Sequence, residues 1–128
     1  MTDHKGPLAG IRIVDLTAII SGPLATQILA DQGADVIKVE PPGIGDLTRQ
    51  MGTGRNGLSA IYAAANRNKR SVVLDLGTDE GLELLRRLVA TADVLAQNFR
   101  PGAAARMGIG YEAMAKLNPD LVYASISG

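Results

Sequence analysis

Compact apolar runs and longer spaced ones take turns along the chain, and each change of rhythm marks a predicted element. IRIVDL, residues 11–16, is short, rich in branched residues and carries an acid near its end, as a buried strand does. Ser21 stands before Gly22 and Pro23 as a helix cap stands before a first-turn proline. Leu24, Ile28 and Leu29 follow at helical spacing, and Gly33 stops the helix. DVIKVE, residues 35–40, predicts a second strand, which Pro41, Pro42 and Gly43 end. Residues 41–57 lack periodicity and hold Gly43, Gly45, Gly52, Gly54 and Gly57, which predicts a long functional loop.

Helical spacing resumes at LSAIYAAAN, and SVVLDL, residues 71–76, predicts a third strand. Thr78 caps the next helix, with Asp79 and Glu80 at the positive end of its dipole. Its apolar stripe is Leu82, Leu84, Leu85, Leu88 and Val89, with Arg86 and Arg87 facing outward. DVLAQN predicts a fourth strand, NFRPG a loop, two short helical stretches reach through Arg106 and Lys116, and LVYASIS predicts a fifth strand. Strands alternating with helices predict an α/β fold, a Rossmann-like doubly wound parallel sheet with helices on both faces. In such sheets ligands bind beyond the carboxyl ends of the strands. The chain stops at Gly128, directly after a strand, so it reads as a fragment whose next loop carries function.

Composition narrows the choice of chemistry. The chain has 128 residues, and 13 basic side chains balance 13 acidic ones, which argues against polyanion binding by bulk charge and so against a nucleic-acid partner. With 46% hydrophobic but 3% aromatic residues, the core is built from Val, Ile, Leu and Ala, as in a parallel sheet wrapped by helices. The absence of cysteine removes disulfides, thiolate metal sites and cysteine nucleophiles. His4 is the single histidine, so no Ser-His-Asp triad can form within the chain, and no metal site is expected. LTAIISGPLATQILA is broken by Gly22 and Pro23 and is too short to span a bilayer. A cytoplasmic protein without a membrane partner is expected.

Several motifs invite a functional reading. Gly52, Gly54 and Gly57 match G-x-G-x-x-G, but a dinucleotide fingerprint must leave a strand directly, and GDLTRQM before it is not strand-like. The match is read as a coincidence in a loop. NRNKR, residues 66–70, has two open readings: a solvated helix terminus, or a partner for a phosphate-bearing cofactor. NFRPG places Asn98, Phe99 and Arg100 on the carboxyl edge, with Arg106 soon after, which combines hydrogen bonding, a flat apolar face and fixed cations. Asp15 and Glu40 could serve as general bases, but strand-end acids more often order turns.

The strings VDLTAIISGP, GADVIKVEPPGIGD, NRNKRSVVLDLGTDEG, ADVLAQNFRPGAAARMGIGYE and LNPDLVYASISG, in this order, resemble the family III CoA transferases. That group includes formyl-CoA transferase, carnitine CoA-transferase and alpha-methylacyl-CoA racemase. The resemblance runs from about Leu8 to the end of the chain. It implies that residues 1–128 are the N-terminal part of a CoA-binding large domain in an interlocked homodimer, with the nucleophile-bearing and small-domain regions absent. It places CoA, as acyl-CoA, on Ile20 and Ser21, on Leu74, Asp75, Leu76 and Gly77, on Asn98, Phe99 and Arg100, and on Arg106. The partners it implies are an acyl-CoA donor and a carboxylic acid acceptor, with CoA passing through an aspartyl anhydride and an enzyme thioester. The aspartate lies beyond Gly128, so no catalytic residue is expected here and the chain alone is expected to be inactive. Alternatives are a racemase of the alpha-methylacyl-CoA type and a non-catalytic CoA-binding fragment. Many relatives place a phosphate-binding arginine where this chain has Pro41, a role that Arg49 or Lys69 would have to fill.

Overall fold

Why the apolar runs become strands is visible in the pairing. A computed structural model describes residues 5–127, so His4 and Gly128 lie outside the described residues. Among these, five strands form one sheet: β1 (Arg12–Asp15), β2 (Asp35–Glu40), β5 (Lys69–Val73), β6 (Val94–Gln97) and β7 (Val122–Ser125). All neighbours are parallel, in the order β5-β2-β1-β6-β7. Chain direction along the sheet therefore reverses between β1 and β6, and the loops leaving these two strands diverge there. The helices are α1 (Ser21–Asp31), α2 (Ala60–Asn66), α3 (Asp79–Val89), α4 (Ala103–Arg106) and α5 (Tyr111–Leu117).

The two-residue period of the strands splits the core into two layers. Val14, Val39 and Leu95 face Leu85, Val89, Ile109 and Met114 on the side of α3 to α5. Ile13 and Val36 face Ala30 and Ala34 on the side of α1. Leu85 and Leu95 are fully buried, each contributing about 1.5–3 kcal/mol of burial free energy.

Four expectations are corrected. Ser21 is not the cap of α1; Ile20 holds that position and no side chain caps the helix. Leu24 and Ile28 face outward, at 44% and 49% exposure, while Gly22, Pro23, Thr26, Gln27 and Ala30 are buried. Small and polar residues let this helix approach the sheet closely and bond to Asp15, so the apolar period marks its outer face. Leu84 is likewise exposed, whereas Leu85 and Val89 carry the buried stripe of α3. The third sheet strand starts at Lys69 rather than Ser71 and ends at Val73, because an edge strand accepts charged residues and Lys69 and Arg70 find carboxylates on neighbouring elements.

The long loop is structured. Asp46 caps a 3-10 turn at Leu47–Gln50, and a hairpin, β3 (Gly54–Arg55) with β4 (Leu58–Ser59), turns on Asn56 and Gly57, both at positive φ. The glycine pattern of this segment thus serves a hairpin, as a coincidental match to the dinucleotide motif requires.

Gly81 in the first turn of α3 has no room for a side chain: a Cβ there would lie within 2 Å of the Asp75 carbonyl oxygen. Gly81→Ala must therefore move the turn at residues 75–78, and overpacking of this kind costs about 1–3 kcal/mol. Thermal melting checks it; an unchanged midpoint would show that the turn yields freely.

Candidate functional site

The loops leaving β1, β2, β5 and β6 enclose a cavity of about 440 Å³ at the carboxyl ends of the strands. Its walls are mostly apolar, with Leu16, Val39, Pro41, Leu47, Leu74, Leu76, Phe99 and Met107, and its polar groups come from Thr17, Lys38, Glu40, Asp46 and Asp75. That size and lining suit a small organic group held by a few placed hydrogen bonds.

Each wall is fixed locally. At the end of β1, Asp15 is fully buried and accepts hydrogen bonds from the Thr17 N–H and from the hydroxyls of Thr17 and Thr26. Lys69 Nζ lies 3.0 Å from Asp15 Oδ2 and also donates to the Pro23 carbonyl and Asn66 Oδ1. Burial pulls the Lys69 ammonium below its ordinary lysine value, with the Asp15 charge opposing. At the end of β2, Glu40 is held by Arg49 through two bonds of 2.7 Å and by Tyr62, Ser71 and the Asp46 N–H. After β5, Asp75 accepts the Gly77 N–H at 2.9 Å, and Thr78 donates to the Asp75 carbonyl while accepting from Gly81. After β6, Gln97 Oε1 accepts the Phe99 N–H at 2.8 Å.

Of the residues expected at the site, Leu74, Asp75, Leu76, Gly77 and Phe99 line the cavity. Ile20 and Ser21 do not; they are exposed at the uncapped start of α1, directly after the lining residues Thr17 and Ala18. Asn98 also stands behind the wall, where its side-chain amide accepts from the Ala18 N–H at 2.9 Å and donates to the Ala18 carbonyl at 2.8 Å. Arg100 and Arg106 are exposed and make no ion pair among the described residues. Arg106 reaches back towards Gly102 at the start of its own short helix.

Each cation of NRNKR has a carboxylate partner in the fold. Arg67 pairs with Asp31, Lys69 with Asp15 and Arg70 with Asp35. The Arg67 guanidinium holds the Asp31 carboxyl down at about 2. The Lys69 side chain is 2% exposed, and Arg49 is committed to Glu40 and lies 3.8 Å over the Tyr62 ring. Neither is a free substitute for a cation at Pro41. Asp15 and Glu40 order turns rather than stand as free bases.

Lys38 and Asp46 went unnoticed in the sequence. They form a buried pair at 2.8 Å, each with 1% of its side chain exposed. The available signal was a lysine inside VIKVE, since a charge in a fully buried strand needs a partner. Among the described residues no histidine is present, and no cluster of acids could hold a metal ion. The arrangement can therefore bind and orient a ligand, with apolar contacts inside and two exposed cations outside.

A model of CoA-transferase family III matches residues 8–128. The chain is 50% identical to the succinate–glutarate CoA-transferase of Agrobacterium fabrum, over all of this chain and 34% of that protein. It is 48% identical to the acetyl-CoA:oxalate CoA-transferase of Acetobacter aceti, over 97% of this chain and 32% of that protein. A crystal structure of a CAIB/BAIF family protein from Brucella suis superposes with a TM-score of 0.90 at 47% identity, over 96% of this chain and 34% of that one. The chain spans about a third of the length of the curated relatives it matches.

Proposed function

Because the chain belongs to CoA-transferase family III, we propose that the polypeptide carrying it transfers CoA from an acyl-CoA to a carboxylic acid, and that these residues are the N-terminal part of its CoA-binding large domain. The observation that carries this reading is the largely apolar cavity at the strand ends, bounded by Leu74 to Gly77 and by Phe99. Adenine fits between Phe99 and residues 74–77, where Asp75 and the neighbouring backbone offer polar contacts. Ile20 and Ser21 contribute from the start of α1, whose first-turn N–H groups have no side-chain cap. Arg100 and Arg106, exposed and without carboxylate partners among the described residues, take the nucleotide phosphates. Asn98 acts from behind the wall by fixing Ala18.

In this reading the residues described bind and orient the substrate, and the covalent chemistry belongs to an aspartate outside these 128 residues. That aspartate attacks the thioester carbonyl, expelling CoA thiolate and leaving an acyl-aspartyl anhydride. The thiolate then attacks the aspartyl carbonyl of the anhydride and releases the first acid. The acceptor carboxylate attacks the resulting enzyme thioester, expelling CoA thiolate and forming a second anhydride; the thiolate then attacks the acceptor's acyl carbon and frees the aspartate. The enzyme acts as a homodimer of interlocked subunits in the cytoplasm; among the described residues no helix is long and apolar enough to cross a membrane.

Incubation of the natural polypeptide with labelled acyl-CoA and an acceptor acid tests the reaction. Label arriving on the acceptor as its CoA ester supports transfer, whereas inversion at the alpha carbon without transfer makes the enzyme a racemase. Arg106→Ala in that polypeptide is expected to weaken CoA binding about tenfold or more, the worth of one charge-assisted phosphate contact. Unchanged affinity by calorimetry would remove Arg106 from the site.

A further inference from the structure

Three successive residues after β1 have their backbone held by side chains from elsewhere in the fold. Lys38 Nζ donates to the Thr17 carbonyl at 3.0 Å, the Asn98 amide brackets Ala18, and Asp46 Oδ1 accepts the Ile19 N–H at 3.3 Å. Ile19 sits at a φ of 73°, a left-handed conformation unfavourable for a β-branched residue. Such a conformation persists only where the surroundings impose it.

Lys38 and Asp46 do this from a buried position. Nζ of Lys38 is 2.8 Å from Asp46 Oδ2, and the other Asp46 oxygen also takes the Thr48 N–H and hydroxyl. Burial pushes the Asp46 carboxyl up, but the Lys38 ammonium and the Thr48 donors outweigh it and hold the group below its usual range. A buried ion pair is a poor source of stability compared with well-packed apolar side chains. An apolar pair here would, however, leave the Thr17 carbonyl and the Ile19 N–H without these partners.

We propose that Lys38 and Asp46 are positioning residues, a buried brace that keeps Ile19 left-handed and so aims Ile20 and Ser21 at the CoA site. The brace rests on the CoA-binding reading given above. Lys38 and Asp46 themselves act through the backbone of residues 17–19, and Asn98, just after β6, secures the middle of that segment.

The test uses the natural polypeptide and CoA as the probe. Lys38→Met/Asp46→Ala removes both charges, so neither is left buried alone. It is expected to bind CoA about tenfold more weakly, the scale of one strained backbone conformation released. In turnover the KM for acyl-CoA rises with little change in kcat. Adding Ile19→Asn, a residue that tolerates the left-handed region, is expected to recover most of the affinity. A role in stability alone would lower the melting temperature without that recovery. Lys38→Met/Asp46→Asn, which keeps the side-chain volume and an acceptor for Ile19, gives the same comparison with a smaller loss if the first variant fails to fold. Unchanged CoA affinity in the double variants, or a loss that Ile19→Asn does not restore, would overturn the brace. Failure of the unsubstituted protein to bind CoA would overturn the site reading itself, and it is seen before any substitution is made.

Discussion

Replacing Glu40 with alanine is expected to lower stability by about 3–5 kcal/mol, the scale on which a buried charged partner is missed. Glu40 is 2% exposed and is the meeting point of donors from four residues in three parts of the fold. Its Oε1 accepts from Tyr62, Arg49 and Ser71, and its Oε2 accepts from the Asp46 N–H and from Arg49. Without it, the 3-10 turn, α2 and the edge strand lose their common anchor, and Arg49 loses its partner. Burial pushes the Glu40 carboxyl up, but Arg49 and the other donors more than offset this and hold it far below the 4.5 of an unfolded glutamate. A carboxylate with a depressed folded value contributes fully above that unfolded value and loses its contribution as pH falls through the folded one. The gap between the wild type and the variant in urea unfolding is therefore widest near neutral pH and narrows in acid. An equal gap at about pH 7 and about pH 3 would mean that the charge is not the cause.

Asp15→Asn is expected to cost a similar amount, about 3–5 kcal/mol, because it leaves the buried Lys69 ammonium without a countercharge. Asp15 and the Lys69 side chain are 0% and 2% exposed. Burial already pulls Lys69 below 10.5, and Asp15 is the main opposing influence, so removing that charge pulls it lower still. Between the depressed folded value and 10.5 the unfolded chain binds more protons than the folded one, so stability rises with pH in that window. The window is wider in the variant, which therefore regains stability on going alkaline earlier than the wild type does. Lys69→Met added to Asp15→Asn is expected to restore most of the loss. A variant whose deficit neither shrinks with pH nor responds to Lys69→Met would show that the lost hydroxyl contacts matter instead.

The sheet was legible because each strand is an apolar run bounded by Pro, Gly or a capping residue, and these signals agree with one another. The edge strand was less so, since Lys69 and Arg70 look like a helix terminus until Asp15 and Asp35 supply their partners. The face of α1 was misread because its buried side is Gly22, Thr26 and Gln27, chosen for closeness and hydrogen bonding rather than apolar area. The strand-end rule pointed to the loop that carries Phe99, and the resemblance to the family III CoA transferases implied Leu74 to Gly77; these residues line the cavity. Lys38, Glu40 and Asp46 could not be assembled in that way, because their partners become neighbours only when a loop without periodicity folds back on β2.

The position of β1 in the sheet has a consequence for how the chain acquires its shape. β2 follows β1 within a short stretch of chain, but the neighbour on its other side is β6, which is made much later. The bond from the Arg12 N–H to Asp93 spans 81 residues. At a synthesis rate of roughly 5–20 residues per second, that separation corresponds to roughly 4–16 s of translation. Throughout that interval Ile13 and Val14, which end at 1% and 0% exposure, belong to a strand with one open edge. Pairing across such a separation is also intrinsically slow, because loop closure precedes the contacts that reward it. The nascent chain therefore carries its central strand half-paired, and the arrival of β6 seals the sheet at its centre rather than at its rim.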